Sequence, residues 1–130
     1  MSDLSATIEE SLEKVAERAG DPTGIVYERL FARYPEMQAL FIRDVDGAVK
    51  GEMLTKTLEC ALDLAGPNAY AANFIRSEVV NHEGVGVPPE VFTRFYEVTA
   101  DTFAEVLGDA WTPAYAGAWR TIVERVRALA

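Results

Sequence analysis

Apolar residues at helical spacing, interrupted only by glycine, proline and short polar links, constrain this chain more than any other feature. In the first segment, about residues 5 to 19, Leu4, Ile8, Leu12 and Val15 fall on one face, and Gly20 closes it. Asp21 then caps a second helix with Pro22 at its first position, where a missing N–H costs nothing. Its inward face carries Tyr27, Leu30, Phe31 and Tyr34. Pro35 opens a short helical piece that ends at Phe41, and "IRDVDGA" is a polar link. A helix from about Val49 to Ala65 turns Met53, Leu54, Leu58, Ala61, Leu62 and Ala65 inward, and "GPN" breaks it. A shorter one, about 69 to 82, carries Ala71, Phe74, Ile75, Val79 and His82. A long helix from Pro89 to about Leu107 presents Phe92, Phe95, Tyr96, Thr99, Phe103 and Val106. The last is capped by Thr112, opened by Pro113, and presents Tyr115, Ala118, Trp119, Ile122, Val126 and Leu129. Strand alternation is scarce. The expected fold is all-α, six long or medium helices plus one short one, with corners too irregular for an up-down four-helix bundle.

At 130 residues the chain has the size of one domain. It can bury roughly two-thirds of its unfolded surface, enough for a core and a bound cofactor. Lys and Arg total 12 against 21 Asp and Glu, a net charge of −9 that repels phosphate backbones and argues against nucleic acid. No apolar run approaches the ~20 residues of a membrane span. The opening "MSDLSATIEES" is too acidic for a secretory signal, and one cysteine, Cys60, excludes an internal disulfide or a cysteine metal cluster. A reducing cytoplasm is the expected location. Gly84 and Gly86 follow no strand, so they make no phosphate loop, and the carboxylates lack calcium-loop spacing.

The single histidine, His82, stands in "NHEGVGVPPEVF", at the last turn of a helix and before a corner that cannot stay helical. Such a ring can reach the carbonyl four residues back, that of Glu78. A metal-binding imidazole needs this kind of bond on its second nitrogen to fix its tautomer. The corner can turn Val85 and Val87 toward an apolar slot, with Phe92 and Phe95 one turn beyond. Position alone leaves a capping or half-buried role open for His82.

Three stretches together resemble the globin family, over about residues 5 to 129. "IVYERLFARYPEMQALF" (25 to 41) is similar to the globin segment in which a proline begins the third helix and a phenylalanine follows six residues later, here Pro35 and Phe41. "NHEGVGVPPEVF" resembles the region of the haem-ligating histidine in bacterial and neuroglobin-like globins, and "LGDAWTPAYAGAW" (107 to 119) the turn into the last helix. The resemblance implies a single globin domain over 1–130, about seven helices around a haem pocket, and a short or absent fourth helix. It implies haem b bound through His82 as proximal iron ligand, with Phe41 against the ring. Tyr27, fourteen residues before Phe41, then faces the gas. On the helix from Val49 no histidine or glutamine stands where the family usually has one. Two registers stay open: Gly51 aligned with a flavohaemoglobin glycine places Met53 and Thr57 distally, whereas distance to His82 places Lys50 and Leu54 there. Met53 or Lys50 is then a candidate sixth ligand, and Lys50, Arg76 and Arg94 are candidates for the haem carboxylates. The implied function is reversible binding of dioxygen, nitric oxide or carbon monoxide, for storage or sensing. Nitric oxide dioxygenation would need an external reductase, because the chain leaves no room for a flavin domain. The alternative is a haem-free globin fold serving as an interaction or sensory module.

Overall fold

Each amphipathic segment folds close to where its periodicity puts it. The computed structural model describes residues 3–41, 47–84 and 90–129. Among them run six α-helices: α1 (Asp3–Ala19), α2 (Thr23–Arg33), α3 (Ala48–Ala65), α4 (Ala71–Glu83), α5 (Glu90–Leu107) and α6 (Pro113–Leu129). Two 3₁₀ turns, Pro35–Phe41 and Gly108–Ala110, complete the described secondary structure, which contains no strand. The short piece expected after Pro35 is the first of these turns. Most of the polar link, residues 42–46, lies outside the described residues.

The helix ends show why the segments stop where they do. Gly20 sits at φ +64° and donates its N–H to Ala16 O, the left-handed stop that a side chain would resist. Asp21 accepts from the Thr23 N–H at 3.0 Å and the Thr23 hydroxyl at 2.6 Å, and these bonds hold its carboxyl below the usual range. Thr112 Oγ1 accepts from the Tyr115 N–H at 3.1 Å, the expected cap of α6.

The turn between α3 and α4 depends on an acid that periodicity does not single out. Asp63 is 6 % exposed and accepts three backbone N–H bonds, from Ala69, Tyr70 and Ala71 at 3.0, 3.1 and 2.8 Å. Burial pushes its pKa up, yet the three donors outweigh burial and leave it lowered. A carboxylate at the start of α4 also meets the positive end of that helix. Asp63 thereby fixes where α4, and with it His82, begins.

The helices pack α5 against α6, with α1 across both, α2 on α5, and α3 on α1 and α6; α4 packs on α3 and α6. Ile8, Val15, Phe103, Trp119, Ile122 and Val126 make the tightest part of the core. The Trp119 Nε1–H donates to Ser11 Oγ at 3.0 Å, and the Ser11 hydroxyl donates to Ile8 O at 2.6 Å, so this buried polar group is satisfied. Arginines tie helix ends: Arg18 donates to Leu107 O at 2.8 Å and Arg125 to Leu64 O. Among the described residues no helix is long and apolar enough to cross a membrane.

Candidate functional site

Away from that core the helices leave a cleft of about 720 Å³, walled by α3, α4 and α5, with Leu30, Met37 and Phe41 from α2 and the first 3₁₀ turn. Cofactor pockets span ~300–1,000 Å³ and are mostly apolar with a few polar groups. α3 contributes Met53, Thr57 and Cys60, whose 4- and 3-residue spacings put them on one helical face. α4 contributes Ile75, Glu78 and His82 by the same rule, and α5 contributes Phe92, Phe95 and Tyr96.

His82 lines the cleft with its side chain 30 % exposed. Its Nδ1 lies 2.7 Å from Glu78 O, the contact its position in the last turn implied. A carbonyl only accepts, so Nδ1 carries the hydrogen and the neutral ring keeps its lone pair on Nε2. Phe92 meets the imidazole edge-on with ring centroids 5.0 Å apart, which limits ring rotation. The Glu78 carboxylate stands 3.7 Å from the same Nδ1 and adds a negative charge behind the ring. The result is a one-point donor, oriented from behind, at the wall of a largely apolar cavity.

The sequence-derived candidates divide into three groups. Phe41, Met53, Thr57, His82, Phe92 and Phe95 line the cleft together. Tyr27, Leu54 and Lys50 are not among its lining residues. Tyr27 is 2 % exposed and sits among Phe31, Phe41 and Phe95, with ring centroids 5.8, 5.2 and 5.4 Å away. Leu54 is buried in the core, and the Lys50 ammonium lies 5.9 Å from the Phe41 ring centroid. Val85 and Val87 lie outside the described residues. A Cβ at Gly51 would meet nothing within 4 Å, so packing does not require glycine there. Of the two other basic candidates, Arg94 stacks over Tyr34 at 4.9 Å and Arg76 is exposed.

Among the lining residues that escaped the sequence reading as site residues are Lys56, Cys60 and Tyr96. Tyr96 lies four residues after Phe92, and Cys60 three after Thr57, so the signal was a shared helical face read only as core. Burial pushes the Cys60 thiol up to about 11, so it stays protonated at neutral pH. Lys56 is the one cation on the described lining, beside Glu52 and Glu78, and its ammonium is 3.4 Å from Glu59. Among the described residues, no group of three or more His, Cys, Asp or Glu side chains can hold a bare metal ion. His82 on its own suits a metal that arrives with its other ligands already in a ring. Volume, apolar walls and an oriented nitrogen donor all fit haem.

The sequence model described as Globin matches residues 25–129, which takes in α2 through α6 and the whole cleft. Comparison with curated proteins and with solved structures gave no match.

Proposed function

The chain belongs to the globin family, and from that premise we propose that it holds haem b in the cleft through His82 and binds dioxygen or another diatomic gas reversibly. The observation that carries this is the imidazole: Nδ1–H committed to Glu78 O at 2.7 Å, Nε2 left as donor at an apolar cleft of about 720 Å³. Haem would supply an iron site that takes up gas. The chain's own residues do the rest. The Glu78 carbonyl fixes the imidazole tautomer and raises the basicity of the free nitrogen. Phe41 and Phe92 present flat apolar surface, and Phe95 and Ile75 exclude water from the walls. Of the four α3 candidates, Met53 and Thr57 line the cavity and Lys50 and Leu54 do not, which favours the register of the first pair. Lys56 is placed to meet a haem carboxylate. We read the whole as one globin domain serving oxygen binding or gas sensing. Nitric oxide dioxygenation with a separate reductase is its enzymic extension.

One observation favours a second reading, a haem-free interaction module: Glu52 and Glu78 outnumber Lys56 on the lining, an unhelpful charge for a dianionic cofactor. A hemin titration separates the two. The haem reading expects one equivalent bound with a strong Soret band, and His82→Ala weakening uptake at least about tenfold, ~1.4 kcal/mol. A protein indifferent to hemin supports the interaction module.

A further inference from the structure

The walls of the cleft are not uniformly apolar. Thr57 and Cys60 on α3, and Tyr96 on α5, form a polar strip on its lining. Tyr96 is 3 % exposed, and its phenol stands next to the Thr57 hydroxyl and the Cys60 thiol. The Thr57 hydroxyl donates to Met53 O at 2.9 Å, an atom that only accepts, so its proton is committed and its oxygen keeps only lone pairs for its other neighbours. The Cys60 sulfur is a weak acceptor and, as a thiol, a weak donor. The phenol's neighbours at the surface of the cavity are therefore a hydroxyl oxygen and a sulfur, neither of them a strong acceptor. A stronger acceptor entering that cavity, such as a diatomic ligand with partial negative charge, competes well for the phenol's proton in a water-poor setting.

We propose that Tyr96, oriented by Thr57 and Cys60, is the hydrogen-bond donor to a diatomic ligand held in the cleft, in the role that the resemblance gave to Tyr27. The inference rests on the haem-binding reading. Tyr96 lines the cleft and Tyr27 does not; the Tyr27 ring packs against Phe41 and Phe95, which do. The strip also accounts for the missing histidine or glutamine on α3: Thr57 occupies the cleft-facing position one turn beyond Met53, and the donor comes across from α5.

The test uses hemin-reconstituted protein and three variants, Tyr96→Phe, Tyr27→Phe and Thr57→Val. Two quantities are read: the dioxygen dissociation rate, and the C–O stretching band of the carbon monoxide complex. Tyr96→Phe should speed dioxygen release about tenfold or more and raise the C–O frequency, because a donor to the ligand oxygen is lost. Tyr27→Phe should leave both near wild type. Thr57→Val keeps the phenol and removes what orients it, so the C–O band should broaden or split; this arm decides the matter if Tyr96→Phe does not fold. Unchanged dioxygen release in Tyr96→Phe, a larger effect of Tyr27→Phe, or a single unshifted band in Thr57→Val overturns the assignment while leaving haem binding intact. A wild-type protein that takes up no hemin overturns both.

Discussion

The α1–α5–α6 side of the molecule and the α3–α4–α5 cleft are built from the same kind of amphipathic helix, yet they are packed to different ends. On the first side Ile8, Phe103, Trp119 and Ile122 are at most 1 % exposed, and even the indole N–H is matched. On the second, Phe41, Met53, Phe74 and Phe92 are only half-buried and border an open cavity. A helix in a small domain normally closes its apolar face against a neighbour, because exposed apolar area costs roughly 25 cal/mol per Å². Leaving one such face open lowers stability and reserves room for a flat apolar guest. The closed side holds the fold, and the open side is where the proposed haem would lie.

That contrast implies unequal costs for similar truncations. The largest is expected at Trp119→Ala, about 3–5 kcal/mol by denaturant unfolding, since the site is fully packed and its loss also leaves Ser11 without its donor. Asp63→Ala comes next, about 1–3 kcal/mol, because three N–H groups at the start of α4 lose their acceptor. Asp63 also gives a pH signature. Its folded pKa is lowered, so its contribution is complete above the unfolded value near 3.8 and is lost as pH falls through the folded value. Asp63→Asn, which keeps an oxygen but no charge, should remove that acid-side loss from the unfolding free energy measured against pH. Phe92→Ala should cost about 1 kcal/mol in the protein without cofactor, because one side of the ring already faces the cavity. A Phe92→Ala cost equal to that of Trp119→Ala would contradict the division into a closed and an open side. The smallest effect belongs to Arg33→Ala: its 2.8 Å pair with Asp101 is exposed and worth about 0.5 kcal/mol or less, with hemin uptake unchanged.

How far the sequence revealed this division follows from what periodicity encodes. Helical spacing reports which residues point inward, and most of the inward faces of α1, α5 and α6 appeared in it, though Ser11, Val98, Thr102 and Leu107, all fully buried, did not. It does not report whether the inward side is filled. Phe92 and Phe103 look alike along α5, and only the neighbouring helices make one a cavity wall and the other core. Asp63 was hidden because an acid next to Leu62 and Leu64 reads as a solvent-facing position until the turn brings three donors back to it. Tyr96 was hidden as a site residue because its polar neighbours, Thr57 and Cys60, lie on another helix, 39 and 36 residues away in sequence. His82 stood out in the sequence as the single histidine before a glycine- and proline-rich corner, and Phe41 through the globin resemblance that runs from Pro35; Tyr27 was placed by counting from Phe41, and its ring packs on Phe41 without being among the lining residues.

The central claim is a bond from the His82 imidazole to iron, and the ferrous iron–histidine stretch in resonance Raman reports that bond directly. The account predicts this band in the hemin-reconstituted, reduced wild type, its loss in His82→Gly, and its return when free imidazole is added to the variant. A band that persists in His82→Gly without imidazole, or that never appears in a wild type that has taken up hemin, would contradict it.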